Sequence, residues 1–245
     1  MTVFPLSAAP FEARSRTVEP GSAFDWFRQG WAIFAARSGC WLVLTIGLLF
    51  VSCVLVWLPA VGRPLLLCST PLLSAVFLLE SHAVASDSEL SFAGWARVLE
   101  NRVPGSLAVL GALLLLGSIV IHRLLRLLIG NVTPPPIPSL LSAALPPFAD
   151  WLVFVALGSL LFLPLLLLFW FAPALVVFHR LRPLAALHAS LQACLKNGLP
   201  LLVYGMILLT LTFIAVLPAG LGMLILVPVL AGSVYAAYRD IFLAT

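Results

Sequence analysis

The chain has 245 residues, of which 62% are hydrophobic and 9% are charged, and its mean hydropathy is +1.16. Soluble domains are roughly 45–50% apolar and about 25% charged, so this composition excludes a soluble enzyme, a disordered chain and a nucleic-acid-binding domain. The formal net charge of +4 is better interpreted as a topology signal, because Lys and Arg that flank a span stay in the cytoplasm. The sequence therefore predicts an integral membrane protein.

The first 22 residues contain prolines and four charged side chains, and no continuous apolar segment of the kind found in a secretory signal. We predict a flexible cytoplasmic tail over 1–22, followed by a single membrane domain over 23–245. The first hydrophobic span then has to start membrane insertion itself.

Long intervals without a charged residue or a histidine indicate the spans. Such intervals contain 25 residues after Arg37, 19 after Arg102, 28 after Asp150 and 42 after Lys196. A helix needs roughly 20 apolar residues to cross the hydrocarbon, so the longest interval holds two spans. The shorter interval after Arg63 completes a further span if Glu80 and His82 lie at the interface.

Six spans are therefore predicted, near 40–60, 64–83, 104–122, 150–177, 198–217 and 221–239. With six spans, ten of the 13 Lys and Arg residues lie on the side of the N-terminus, and only Arg63, Arg123 and Arg126 lie on the other side. Without the second span this asymmetry would largely cancel. The positive-inside rule thus favours six spans with both termini in the cytoplasm.

Three short amphipathic stretches, near 23–36, 91–101 and 183–196, each precede a hydrophobic hairpin. Amphipathic helices of this kind lie in the membrane surface, so we predict that their apolar side chains contact the membrane. These are Phe24, Phe27, Trp31 and Phe34; Phe92, Trp95 and Leu99; and Leu184, Leu187 and Leu191. Two hairpins also share a Leu-Pro-Ala turn and a proline inside the second span, which we interpret as a parallel repeat.

The middle copy of this repeat carries a longer loop, predicted over 123–149 on the periplasmic side. It contains the proline-rich run 134–138, which favours extended polyproline geometry. A binding motif and a stiff spacer with a short interfacial segment are both compatible with this composition, and we favour the spacer.

The final third of the chain carries several motifs of one family. They are 170–173 (WFAP), 183–187 (PLAAL), 197–200 (NGLP), 204–205 (YG), 217–222 (LPAGLG), Pro228 and 235–242 (YAAYRDIF). The chain resembles a family of small inner-membrane proteins of Gram-negative bacteria with a domain of unknown function, and 24–27 (FDWF) also fits. The resemblance implies a multi-span fold with surface helices in the bacterial inner membrane, and it implies no activity.

No motif of a nucleophile with its base, of a zinc protease or of a phosphate-binding loop is present in the sequence. The four histidines lie at span ends or on a surface stretch, where we interpret them as polar tips at the interface. We therefore predict no catalytic residue, no cofactor and no metal site, and the protein is not expected to be an enzyme.

Prolines that interrupt spans are candidate contacts for a solute or a lipid, because a broken helix exposes backbone groups. The candidates are Pro71, Pro228, Pro164 and Pro173, together with Asn197. A kink absorbed by packing is the alternative that we favour. Two pairs of small residues on the proline-containing spans, Thr70 with Ser74 and Gly232 with Ala236, suggest close packing, inside the protein rather than in a dimer.

The predicted fold is an all-α membrane bundle of six spans with three cytoplasmic surface helices. The predicted function is non-enzymatic, in membrane or envelope assembly or in the binding of lipid or partners. The lipid bilayer, other membrane proteins and a second copy of the chain are the expected partners. A transporter or channel for a neutral or amphiphilic solute is the alternative. An intramembrane enzyme is the weakest hypothesis, since no ionisable residue lies deep in a predicted span.

Overall fold

The structure is a computed structural model that describes residues 15–86, 103–130 and 145–243. Within these ranges it contains nine α-helices and no strand. They are α1 (Ser22–Ala36), α2 (Ser38–Trp57), α3 (Gly62–Ala85), α4 (Val103–Ile129), α5 (Leu145–Phe169), α6 (Ala172–His179), α7 (Pro183–Lys196), α8 (Gly198–Val216) and α9 (Met223–Phe242). The predicted all-α class is confirmed for this part of the chain.

Six segments of the described ranges are long and apolar enough to cross a membrane. They are α2, α3, α4, the stretch Leu152–His179 that contains most of α5 and all of α6, α8 and α9, with mean hydropathies between 1.4 and 2.8. Each corresponds to one of the six predicted spans, so six helical segments able to cross a membrane are confirmed in the described part of the chain.

Helices α3 and α9 form the centre of the bundle. Of the most apolar stretch of each span, 56% is buried inside the protein in α9 and 39% in α3, compared with 6–17% in the other four spans. The outer spans expose large apolar side chains, among them Trp57 and Leu127, each 82% exposed. Soluble monomers rarely expose apolar patches of this extent, so these faces contact the hydrocarbon of a lipid bilayer.

The short helices α1 and α7 precede the spans α2 and α8, and a single non-helical residue, Arg37 or Asn197, separates each pair. Five of the six buried residues of α1 have a buried counterpart in α7, at an offset of 160 residues. These pairs are Trp26 and Ala186, Phe27 and Leu187, Gly30 and Ser190, Ile33 and Ala193, and Phe34 and Cys194. The two helices therefore pack on the bundle with equivalent faces.

The hairpins α2–α3 and α8–α9 also have equivalent turns. The alanine of each Leu-Pro-Ala sequence adopts a left-handed conformation, with φ of 65° at Ala60 and 55° at Ala219. A Cβ added to Gly62 would lie 1.5 Å from the carbonyl oxygen of Leu55, and one added to Gly222 would lie 2.5 Å from Cα of Ala215. Only glycine therefore fits where the chain turns back past the end of α2 or of α8.

Helix α1 packs antiparallel along α9, and the two backbones meet at a pair of glycines. A Cβ added to Gly30 would lie 2.4 Å from the carbonyl oxygen of Val229, and one added to Gly232 would lie 3.0 Å from Cα of Gly30. The predicted internal packing of Gly232 is confirmed, and its partner is α1. Small residues let helices in membranes approach this closely, which strengthens their van der Waals contact.

Several predicted boundaries differ from the structure. The predicted flexible tail reaches residue 22, whereas Arg16 and Val18, in its described part, are hydrogen-bonded to Ile241 and Asn197 of the bundle. Helix α4 extends seven residues into the predicted loop 123–149, because no helix-breaking residue occurs before Gly130, which has a φ of 82°. Helix α5 begins at Leu145, since the two prolines that follow fit a first helical turn. The predicted surface helix 91–101 lies outside the described residues.

Replacement of Gly30 by alanine tests the α1–α9 contact. The added methyl group meets backbone atoms of α9 that cannot move independently, so we expect Gly30→Ala to lower the free energy of unfolding by about 1–3 kcal/mol. Gly47→Ala is the control, because a Cβ at Gly47 meets nothing within 4 Å and alanine is the better helix former. Thermal unfolding in detergent measures both variants. Equal stability of the two would contradict the close approach.

Candidate functional site

A polar cluster at one end of the bundle ties the segment before α1 to the end of α9. We call residues 15–21 the N-terminal strap. The backbone N–H of Arg16 donates to the carbonyl of Ile241 (2.9 Å), its Nε donates to the carbonyl of Asp240 (2.6 Å), and its guanidinium forms an ion pair with the Asp240 carboxylate. Nε1 of Trp26 donates to the other carboxylate oxygen of Asp240 (2.9 Å). Both carboxylate oxygens of Asp240 are therefore bound inside the protein.

Asn197, between α7 and α8, holds the other side of the N-terminal strap. Its side chain is buried, Nδ2 donates to the carbonyls of Arg16 and Ala193 (2.9 Å each), and Oδ1 accepts from the N–H of Val18 (2.9 Å). The predicted solute or lipid contact of Asn197 stays a prediction. The structure gives its amide a structural role that connects the strap with two helices.

Two tyrosine–histidine hydrogen bonds join α9 to its neighbours. The hydroxyl of Tyr235 lies 2.8 Å from Nδ1 of His82 in α3, and that of Tyr238 lies 2.5 Å from Nε2 of His179 at the end of α6. Phe178 stacks on Tyr238 with the ring centroids 5.2 Å apart. The predicted polar tips at the interface are, for these two histidines, partners of tyrosines inside the protein. The only sign of this cluster in the sequence is the spacing of Tyr235 and Tyr238, three residues apart.

Glu80 is also more enclosed than the sequence indicates. Glu80 is predicted to lie at the interface, whereas only 3% of the residue is exposed. The physical reason is the position of its helix: α3 lies at the centre of the bundle, so neighbouring helices cover side chains near its end.

The fourth span is interrupted, and α7 closes the interruption. Helix α5 ends at Phe169 and α6 begins at Ala172. Between them, Oγ of Ser190 accepts a hydrogen bond from the N–H of Phe171 (3.0 Å) and donates to the carbonyl of Leu167 (2.9 Å). Ser190 therefore satisfies a donor and an acceptor that the break would otherwise leave unpaired. Ser190 was not predicted from the sequence, where the only sign of its role is a polar residue on the apolar face of α7.

A thiol reinforces the same closure. Sγ of Cys194, one turn after Ser190, lies 3.5 Å from the carbonyl of Leu167. Burial raises the pKa of the Cys194 thiol to about 12, against the partial opposing effect of its hydrogen bond with Ser190. The thiol is therefore protonated at neutral pH and can donate to this carbonyl.

The four candidate prolines occupy different environments. Pro71 and Pro228 are buried within the two central helices. Pro173 is buried in the first turn of α6, directly after the break, and Pro164 is exposed on the outer side of an uninterrupted part of α5. Of the four, only Pro173 adjoins the break in the fourth span, and the backbone groups of that break are bonded to Ser190.

The predicted membrane-contacting residues of α1 and α7 divide into two sets. Phe24, Trp31 and Leu184 are exposed, whereas Phe27, Phe34 and Leu187 are buried against the protein and Leu191 is half-buried. The reason is helical geometry, because residues seven apart differ in direction by about 20°, whereas residues three apart differ by about 60° and can fall on either side of the boundary between protein and membrane. The predicted membrane-contacting residues therefore lie partly on the exposed surface and partly on the surface that packs against the protein. Phe92, Trp95 and Leu99 lie outside the described residues.

Comparison with known proteins gives one informative similarity. The chain is 23% identical over 239 residues to a protein of Burkholderia thailandensis described as a probable inner membrane protein, covering 89% of this chain and 82% of the relative. No family model matches the chain, and no solved structure matches it. The similarity and the six candidate spans together support an integral membrane protein related to one of a Gram-negative inner membrane. The more specific family resemblance stays a prediction.

Removal of the Ser190 hydroxyl tests the closure of the fourth span. We expect Ser190→Ala to lower the free energy of unfolding by about 1–3 kcal/mol, because two buried backbone groups lose their partner. Thr210→Ala is the matched control, since the exposed Thr210 hydroxyl bonds only to Met206 of its own helix. Thermal unfolding and hydrogen exchange at the Phe171 amide measure the effect. Unchanged exchange at Phe171 would contradict the assigned bond.

Proposed function

We propose that this protein is a non-enzymatic component of the bacterial inner membrane that binds lipid through the outward faces of its short helices, in support of membrane or envelope assembly. Other membrane proteins or a second copy of the chain are further partners for the same surface. The observation that carries the proposal is that α1 and α7, although packed on the bundle by one face, leave a second face exposed with apolar and polar sides.

The exposed faces of the two helices have the same arrangement. On α1, Phe24 and Trp31 form an exposed apolar edge, and Arg28 lies beside them. The corresponding positions of α7, again 160 residues later, are Leu184, Leu191 and His188. An apolar edge with a neighbouring polar side is the pattern of a helix that lies at a membrane interface, where aromatic rings also concentrate.

We propose further that the chain is built from copies of one unit: a short helix, a span, a tight turn and a second span. The equivalent buried faces of α1 and α7 and the two left-handed alanines, Ala60 and Ala219, support this interpretation. In this arrangement α1 and α7 perform the same role twice, so a lipid contact made by one is expected of the other.

Both termini are proposed to face the cytoplasm. The strap residue Arg16 pairs with Asp240, and Asn197 binds the same strap, which brings Arg16, Lys196 and Arg239 to one end of the bundle. The Arg63 side chain lies beside the turn at the opposite end of α2 and α3. Concentration of basic residues at one end supports an orientation with that end inside the cell.

The absence of enzymatic activity is likewise a proposal, supported by how the reactive groups are used. In the described part of the chain, the Ser190 hydroxyl and the Asn197 amide bond to backbone groups, and the imidazoles of His82 and His179 bond to tyrosines. Each of these bonds connects separate elements of the fold, which is a structural use of side chains that catalysis would need free.

Spin labels on α1 test both the lipid contact and the orientation. In a chain with its four cysteines replaced by serine, we expect a nitroxide at Trp31→Cys to be relaxed by oxygen, which dissolves in hydrocarbon. A nitroxide at Gln29→Cys, on the opposite exposed side, serves as the matched control and should be relaxed by a membrane-impermeant nickel chelate. The nickel chelate is expected to relax the label at position 29 only in inverted vesicles, in which the cytoplasmic side of the membrane faces outward. Equal nickel access at both positions would refute the lipid contact.

A transporter or channel for a neutral or amphiphilic solute is the second candidate. The observation that favours it is the burial of Pro71 and Pro228 within the two central helices, where each proline removes a backbone hydrogen bond.

Flux through reconstituted vesicles tests this candidate. If the proline kinks form the path, Pro71→Ala and Pro228→Ala each lower the flux of a small neutral solute by about tenfold, because alanine restores the backbone hydrogen bond and removes the carbonyl that the solute would contact. Pro164→Ala is the control, since Pro164 is exposed on the outside of the bundle. Flux that equals that of protein-free vesicles removes this candidate.

A further inference from the structure

A cleft opens between the polar side of α1 and the end of α9. It encloses about 680 Å³, and its lining includes Asp25, Arg28 and Gln29 of α1 together with Arg239 and Asp240 of α9. The cleft lies at the same end of the bundle as the N-terminal strap. It therefore combines two guanidinium groups and two carboxylates in a single concave surface.

The bonds already made inside the protein decide which of these charges a ligand meets. Asp240 is occupied, because Arg16 binds one carboxylate oxygen and Trp26 binds the other. Asp25 and Arg28 are 3.6 Å apart and their side chains are 59% and 83% exposed, so their ion pair is weak. Arg239 also interacts with the hydroxyl of Tyr235, but its side chain is exposed. The cleft thus offers two exposed guanidinium groups and one carboxylate to a ligand.

The position of the cleft on α1 limits the source of that ligand. Arg28 lies on the helix between the cleft and the apolar edge formed by Phe24 and Trp31. Aromatic side chains of this kind sit at the level of lipid headgroups when a helix lies at a membrane interface. With α1 in the proposed interfacial position, a group that reaches the cleft from this side is the polar head of a membrane lipid.

We propose that this cleft binds the headgroup of a phospholipid that carries a primary ammonium, such as phosphatidylethanolamine. The Arg28 and Arg239 guanidiniums bind the phosphodiester oxygens, for which their planar donors are suited, and the Asp25 carboxylate accepts hydrogen bonds from the ammonium. A glycerol headgroup has no cation for Asp25, and a choline headgroup has no N–H to donate. This inference rests on the proposed lipid-binding function and names the lipid class that the site selects.

Titration with short-chain phospholipids tests the site on the purified full-length chain in detergent. Lipids with identical acyl chains and ethanolamine, glycerol or choline headgroups are compared by native mass spectrometry. We expect the ethanolamine lipid to bind most tightly. Asp25→Asn should weaken its binding about threefold and abolish its advantage over the glycerol lipid, and Arg28→Gln should weaken all three by a similar factor. Arg63→Gln, at the opposite end of the bundle, is the control and should change nothing.

The outcomes separate this proposal from the one on which it rests. Equal binding of the three headgroups, unaffected by Asp25→Asn, overturns the headgroup site and leaves the lipid contact of α1 in place. No binding of any phospholipid, together with a water-exposed label at position 31, overturns both. Free phosphoethanolamine that binds as tightly as the lipid would show that the cleft takes a soluble ligand, which also overturns the proposal.

Discussion

In the hydrocarbon of a membrane a backbone N–H or C=O without a partner costs several kcal/mol, and this constraint governs each irregular point of the described fold. The spans are helical because a helix satisfies its own backbone. Where a helix stops inside the protein, a side chain from a neighbouring element takes over, as Ser190 does at the break before α6 and Asn197 does for the N-terminal strap. The short helices thus take part in the hydrogen bonding that holds the spans together, and only their outer faces remain to contact lipids or partners.

Helix α9 shows how one span serves several neighbours at once. Gly232 admits the backbone of α1, Tyr235 and Tyr238 bind histidines of α3 and α6, and Asp240 holds the strap. These four residues lie at different positions of the same helix, so each neighbour packs at its own level. This explains why α9 is the most buried span although it is the least apolar of the six.

The spans were predictable because the distance between charges directly reports the length of chain that hydrocarbon can accept. The environment of individual side chains was not, because an apolar residue is equally satisfied by lipid and by protein. Phe24 and Phe27 have the same chemistry, yet one is exposed and the other is buried against Tyr204. Asn197 stood out in the sequence as an irregular point, whereas Ser190 did not, since its role depends on a break in a helix about 20 residues earlier.

The contacts of α1 and the N-terminal strap with α9 determine when the fold can be completed during synthesis. Arg16 and Asp240 are separated by 224 positions, so the ribosome must add all of these residues after Arg16 before the two can meet. At about 5–20 residues per second, nascent α1 waits on the order of ten to forty seconds for its docking partner. Throughout that interval its glycine-centred face is open to the insertion machinery and to chaperones. A product terminated ahead of α9 would keep this face uncovered and would be a natural substrate for membrane quality-control proteases.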